Sequence, residues 1–255
     1  LTAGNLRAFV GALCATVVAA CERHIDVATV WSTDVDVVLA RLNECVQLAT
    51  LVKSTLFAYR AKVNVRAVTR QWHLEQSGVF DALDGHADRV RALHRLFEEL
   101  SDMRRLDALE FGGVDGPGIA ASLRDSCDAL RATVFGFKAL SAAAMCDTDA
   151  ESDGCQTFRK KYAVLQDNVK RFDASVSGVL RQAFTSCHGC VAATVDLLLL
   201  LRPFAHRTCI TAAMVQHAAP MFRQLSSDTD AAMKEFTACH TLPPAVPASF
   251  ASELQ

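Results

Sequence analysis

Three short stretches of this sequence carry residue types that could do chemistry. The first is 109-LEFGGVDGPGIAASLRDS-126, where Gly113 and Gly118 are spaced as in a phosphate-cradling loop. A Walker A loop continues with Lys, which reaches the β/γ-phosphates, and Ser or Thr, which binds Mg²⁺. Ile119 and Ala120 occupy those positions, so the cation and the metal ligand are both missing. No β-branched run precedes the loop, and the dinucleotide fingerprint is absent. The second stretch is 187-CHGC-190, whose spacing suits a redox pair or half of a zinc site. A redox pair usually follows a strand, and none is visible. Zinc needs about four ligands, which Cys209 or His206 could help supply. The competing reading is a helix end with two core thiols and Gly189 as terminator. The third stretch, 146-CDTDAESDGC-155, is acidic like a calcium loop. Counted from Asp147, however, it places Glu151 and Ser152 where an EF-hand needs Asp or Asn and then Gly.

No other constellation converges on a catalytic centre. His24, His73, His86, His94, His188, His206, His217 and His240 are scattered along the chain. His94 and Glu98 stand i,i+4 and read as a surface pair. Asp81, Asp84 and Asp88 open a helix, where carboxylates offset the unpaired amide dipoles. Neither GxSxG nor HExxH occurs. The expectation is no catalytic residue, no metal ligand and no bound cofactor.

The elements that must position these stretches are helices. Half of the 255 residues are hydrophobic, which argues against disorder, and the net charge of -2 argues against a nucleic-acid binder. The greasy run 191-VAATVDLLLLLRPF-204 falls short of the roughly 18–20 apolar residues a bilayer span needs. It reads as a buried helix, with no membrane insertion. Of the ten cysteines, Cys14, Cys21, Cys45, Cys127 and Cys209 stand alone within helical patterns, where a thiol acts as a small hydrophobe. The chain begins at Leu1 without a basic-then-apolar leader, and it reads as a piece of a longer protein in a reducing compartment.

Helical periodicity first marks residues 3–24, with Leu6, Phe9, Val10, Leu13 and Val17 on one face. Thr33 and Asp36 form a candidate capping box for a helix whose stripe is Val35, Val38, Leu42, Val46, Ala49, Val52, Leu56 and Tyr59. The third helix, about 80–109, points Leu83, Val90, Leu93, Phe97 and Leu100 inward. Its outer face carries Asp88, Arg89, Arg91, Arg95, Glu98, Glu99, Asp102, Arg104 and Arg105. A fourth helix carries Ile119, Leu123, Cys127, Leu130, Val134 and Phe137. The clearest signal is Phe158, Tyr162, Leu165, Val169, Phe172, Val176, Val179 and Ala183, an a/d seam of alternating 4,3 spacing. Leu180, Phe184 and Cys187 widen it. A last helix, about 210–238, carries Met214, Met221, Phe222, Leu225, Met233 and Phe236, with Pro220 expected to kink or divide it. The fold class is all-α: an elongated bundle of long antiparallel helices forming part of a rod.

The motifs and their order resemble the N-terminal tail region of dynein heavy chains. In that family a tryptophan precedes a helix of the form F-x-x-L-x-x-x-x-x-R-x-x-x-L, matched here by Trp72 and 80-FDALDGHADRVRAL-93. A Leu-Glu-x-Gly-Gly-x-x-Gly joint follows, matched by 109-LEFGGVDG-116. The long helix L-D-x-x-L-x-x-I-L-x-x-A-F-x-D-C is matched by 172-FDASVSGVLRQAFTSC-187, with Ser186 where the family carries Asp. The leucine-rich helix is matched by 197-LLLLLRPF-204, and 242-LPPAVPASF-250 is a loose match to the Pro-rich end. The resemblance covers about residues 72–247. It implies an N-terminal helical segment over 1–71, a tail bundle over 72–247 and the start of a linker over 248–255. The structural residues it singles out are Trp72, Gly112, Gly113, Gly116, Phe172, Phe184 and Cys187.

The resemblance further implies a non-catalytic segment of a microtubule motor. It would assemble with dynein intermediate chains, other heavy chains or docking proteins in the cytoplasm and cytoskeleton, with an axonemal type at a cilium or flagellum favoured. ATP and Mg²⁺ would be handled in a motor domain outside this segment. In this setting the glycine joint reverses the chain between two long helices, with Gly112, Gly113, Gly116 and Gly118 permitting positive φ or close approach and Pro117 starting the next helix. Two other readings stand beside this one. One is a different elongated helical scaffold or tether. The other is an all-α zinc or redox protein built on Cys187, His188 and Cys190.

Overall fold

The computed structural model describes residues 3–66, 78–149, 151–187 and 189–240, and every regular element among them is a helix. In chain order these are α1 (Ala3–Ile25), α2 (Val35–Arg66), α3 (Asp81–Asp107), α4 (Gly116–Phe135), α5 (Ala142–Cys146), α6 (Asp153–Ser186), α7 (Val191–Leu201) and α8 (Thr208–His240). Single 3₁₀ turns follow α4 and α7, over Gly136–Ala139 and Arg202–Phe204. The protein is therefore all-α, and α2, α6 and α8 span 32, 34 and 33 residues, far above the mean of about 11–12. Trp72 and the Pro-rich segment 242–250 lie outside the described residues, as does His188.

The chain divides into two compact units, Leu1–Leu109 with Ala120–Ser175, and Glu110–Ile119 with Val176–Gln255. The first is built on α1, α2 and α3, which pack against one another in all three pairings. By length and composition alone, Gly4–Ile25 could cross a membrane. Its stripe Val10, Cys14, Val17, Cys21 and Ile25 is nonetheless buried in this bundle. That stripe is rotated from the expected one. Phe9 is exposed, and two cysteines take core places because a thiol packs as a small hydrophobe.

α2 starts on Asp34 instead of a Thr33–Asp36 box. The Asp34 carboxylate accepts the Asp36 N–H at 2.9 Å and its carbonyl accepts the Val38 N–H at 3.0 Å, while the Thr33 hydroxyl donates back to the Thr29 carbonyl. Val35, Val38, Leu42, Cys45 and Ala49 are buried. Tyr59, placed on the same stripe by periodicity, is exposed. α3 buries all five expected inward residues, and Trp31 sits on Phe97 with ring centroids 5.1 Å apart.

Within this unit α4 and α6 run antiparallel. Asn168 donates to the Thr133 hydroxyl at 2.7 Å, Ser126 and Ser175 share a 2.6 Å hydrogen bond, and Lys161 donates to the Gly136 carbonyl at 3.0 Å. Each step up one helix is a step down the other. The partner of α4 shown by these bonds is α6, across the 147–152 loop. That loop uses its acidic residues as local brackets: Asp147 accepts the Asp149 N–H at 3.0 Å, and Ser152 accepts the Cys155 N–H at 3.0 Å to cap α6. Hydrogen bonds from the Ser152 hydroxyl and the Asp149 N–H hold the Asp147 carboxyl below its ordinary pKa.

In the second unit α7 packs on α8, burying Leu197 and Leu201 and, in the turn that follows, Phe204. Leu199 remains exposed, so α7 is buried on one face only. Pro220 lies inside α8 without dividing it.

Candidate functional site

The glycine joint and the end of α6 come together in the second unit. Gly113 has φ +85°, the left-handed region, and its carbonyl accepts the Gly116 N–H at 3.3 Å. Gly116 is needed for space: a Cβ there would stand 2.0 Å from the Phe111 carbonyl oxygen. Gly112 and Gly118 differ from expectation, since neither has positive φ and a Cβ on either would meet open space. Pro117 lies in the first turn of α4, where its fixed φ fits and its missing N–H costs nothing. Ile119 is buried, in the place where a phosphate loop would hold its lysine.

Across from the joint, α6 ends in a turn closed by Gly189 at φ +82°, with the Cys190 N–H donating to the Cys187 carbonyl at 3.0 Å. Ser186 donates to the Asp115 carboxylate at 3.2 Å and ties the two segments together. Between them lies a cleft of about 360 Å³, lined by Phe111, Gly113, Ile119, Cys187, Asp196 and Leu200 among others. It is mostly apolar, with Asp196 and Asp115 supplying acceptors. Burial raises the Cys187 thiol pKa, with Cys190 adding to the effect, so this thiol is protonated and weakly nucleophilic. Cys187 is half-buried and Cys190 exposed, so they are not the two core thiols the sequence suggested. No group of three or more His, Cys, Asp or Glu able to hold a metal occurs among the described residues. The arrangement can grip an apolar side chain or a short segment, but it has no activated nucleophile.

The other residues singled out by sequence fall elsewhere. Phe172 is buried at 3 % exposure. Phe184 is buried and stacks on His217 with ring centroids 4.3 Å apart, and burial lowers the His217 pKa. His94 and Glu98 form the expected pair at 3.4 Å.

Two charged residues overturn their sequence reading. Arg89 and Asp102, placed on the outer face of α3, are 7 % and 5 % exposed. Arg89 lies over the Phe158 ring at 3.8 Å and donates to the Ala144 carbonyl at 3.3 Å and the Cys155 sulfur at 3.1 Å. It is the arginine of the Phe80–Leu93 motif, and it fastens α3 to α5 and α6. The spacing of that motif was the available signal: Arg89 falls beside Val90 and Leu93, at the edge of the apolar stripe.

A further surface is the last part of α8. Val215, Ala218, Phe222, Leu225, Thr229, Ala232, Phe236 and Cys239 keep alternating 3,4 spacing. From Phe222 to His240 every residue is exposed, including Phe222 at 63 % and Phe236 at 58 %. The sequence reading found the apolar residues but not this register.

Residues 2–251 match the family model for the dynein heavy chain, N-terminal region 1. The dynein-1-beta heavy chain of the flagellar inner arm I1 complex from Chlamydomonas reinhardtii is 24% identical over 228 residues, which is 89% of this chain and 5% of that protein. Dynein axonemal heavy chain 17 from Homo sapiens is 20% identical over 159 residues, 62% of this chain and 3% of that protein. Its Mus musculus counterpart is 21% identical over the same length. The chain thus spans 5% or less of the length of these relatives. No solved structure matches it significantly.

Proposed function

Because this chain belongs to the dynein heavy chain, N-terminal region 1 family, we propose that it is an assembly segment that holds partner chains of the motor and passes force to them. The region is the non-catalytic N-terminal tail of such a heavy chain. Its partners in this reading are intermediate chains, other heavy chains or docking proteins, and its place is the axoneme of a cilium or flagellum. Nucleotide chemistry belongs to parts of the full heavy chain beyond this segment.

The observation that carries the reading is the α8 seam, which offers Phe222, Leu225 and Phe236 to solvent in heptad register. Nothing among the described residues buries that stripe beyond Met221, and a partner helix with a matching seam would cover it. The cleft beside the glycine joint supplies a second foothold for an apolar side chain.

Co-expression of the chain with an intermediate chain and with the tail of a second heavy chain, followed by capture, tests the proposal. Capture of either partner that is lost in Phe222→Ser/Phe236→Ser, with the melting temperature unchanged, is the expected result. Retention of both partners by that variant would remove the seam from the interface. Capture of neither partner by the parent chain would remove the assembly role.

A further inference from the structure

Arg89 is a cation that the packing of the first unit leaves short of an anion. It is 7 % exposed, and a charge at that depth is ordinarily paired with its opposite. Its guanidinium instead donates to the Ala144 carbonyl at 3.3 Å and the Cys155 sulfur at 3.1 Å, and it lies 3.8 Å over the Phe158 ring. No ion pair reaches it among the described residues. Burial is the largest influence on its pKa and lowers it, and Arg159 lowers it further, while Cys155 and Asp147 oppose them. The Asp147 carboxylate is itself engaged by the Ser152 hydroxyl and the Asp149 N–H. Arg89 and Arg159 line one cleft of about 270 Å³ between α3 and α6, together with Thr148, Tyr162 and Gln166. Asp88, the one carboxylate among its described lining residues, is paired with Arg91 at 2.6 Å. Arg159 is exposed and makes no ion pair among the described residues. Tyr162 is held by stacking on Phe158, with ring centroids 5.9 Å apart. The cleft is smaller than the roughly 300–1,000 Å³ that takes a drug-sized ligand, and it suits a small charged group.

We propose that the cleft between Arg89 and Arg159 binds a phosphate monoester, with the two guanidinium groups meeting the phosphate oxygens. The site lies within the first unit and is independent of the α8 seam and of the assembly role. Guanidinium, hydroxyl and amide side chains are all donors, and the lining residues supply all three kinds. Such a set exceeds what the two oxygens of a carboxylate can use, whereas a phosphate monoester offers three acceptor oxygens and close to two negative charges. Charge-assisted bonds of this kind are the strong ones, and a guanidinium can meet two phosphate oxygens at once. Arg89 is held in place by its contacts with Ala144, Cys155 and Phe158, so little freedom remains for it to lose on binding. Arg159, on the exposed side, supplies the second charge. A bound dianion would also relieve the repulsion between the two arginines. The monoester can arrive on a phosphoserine side chain of a protein or as a small free phosphate ester, and the chemistry that holds it is the same.

Titration calorimetry of the 255-residue chain tests this at about 0.15 M salt, where diffuse surface attraction is largely screened. The probes are O-phosphoserine and a blocked alanine pentapeptide with phosphoserine at its centre. Peptides with serine or glutamate at that position are the controls. Saturable binding of a phosphate probe is expected, with none by the serine peptide and at least about tenfold weaker binding by the glutamate peptide. A phosphopeptide that binds more tightly than O-phosphoserine makes a protein segment the source, and equal binding makes it a small phosphate ester. Arg159→Gln is the variant of choice, because Arg89 also fastens three helices and its loss could unfold the chain. That variant should bind about tenfold more weakly or worse, with its melting temperature unchanged. Lys160→Gln, at an exposed cation next in sequence and outside the cleft lining, should bind as the parent does. The proposal is overturned if neither phosphate probe binds saturably, or if Arg159→Gln binds as tightly as the parent. An equal loss in Lys160→Gln overturns it as well, since the attraction would then be diffuse. A glutamate peptide that binds as tightly as the phosphopeptide would overturn the assignment to phosphate.

Discussion

Helices α6 and α8 carry the same 4,3 alternation of apolar residues and meet opposite environments. In α6, Phe158, Leu165, Phe172, Val176, Val179 and Ala183 are buried, with Tyr162 and Val169 half-buried. In α8, Phe222, Leu225 and Phe236 stand in the same kind of register and are exposed. Heptad spacing therefore specifies a stripe but not what covers it. For α6 the cover within its unit includes α4, attached by the Asn168–Thr133 and Ser126–Ser175 bonds. For α8 beyond Met221, the described residues supply none.

The largest effect that separates the two is at Phe172. Truncation to Ala should cost about 3–5 kcal/mol through lost transfer energy and the cavity left behind. Lys170, two residues away and exposed, should tolerate Ala within about 0.5 kcal/mol. Urea denaturation of the two variants side by side decides it. Equal midpoints would mean that the α6 seam is not a load on stability and that the comparison with α8 fails.

Next in size is Arg89, at the end of the seam where Phe158 sits. Arg89→Ala removes a cation–π contact, a bond to the Ala144 carbonyl and a buried hydrocarbon stem. A loss of about 2–3 kcal/mol is expected, on the scale of hydrogen bonds made by a charged group. Arg89→Lys should recover only part of it, because an ammonium cannot stack as a plane. Full recovery by Lys would show that charge alone matters there.

Gly113→Val comes third. With φ at +85°, a β-branched residue is strained by roughly 1–3 kcal/mol, whatever the space around it. Gly118→Ala, at an open helical position, should be neutral or slightly stabilising. A thermal melt of each variant tests the distinction, which the sequence alone could not draw among the four glycines.

What the sequence made legible follows from the range of the forces involved. Helix positions and the α6 seam depend on local periodicity, and they emerged close to their true limits. Gly113 and Gly189 mark chain reversals, where a left-handed residue is a local need. Arg89 was misplaced because its burial depends on Phe158, a ring 69 positions away, and a long stem lets a charged residue sit at the edge of an apolar stripe. Tyr59 was misplaced for the converse reason: the period continues past the point where α2 is covered. The cleft beside the joint was invisible for the same reason, since it pairs Phe111 and Gly113 with Cys187 and Leu200.

The smallest stability effect is expected in α8, and it tests the comparison most directly. Phe222 and Phe236 lie on opposite sides of Thr229 in one register, and both are more than half exposed. Burial of a Phe side chain contributes about 1.5–3 kcal/mol only when water is removed from it, so Phe222→Ser and Phe236→Ser should each change stability by less than about 0.5 kcal/mol. Serine lowers helix propensity little relative to Phe, which keeps the α8 backbone a fair control. The loss should appear in binding instead. An apolar anchor at a helix–helix seam is the kind of residue whose truncation costs about 2 kcal/mol or more, near thirtyfold in Kd. Circular dichroism melts of the parent and the two variants, read beside titration of a co-purified partner, separate the two quantities. A melting temperature lowered as far as that of Phe172→Ala would mean that α8 is covered within the chain after all, and that its seam is a second α6.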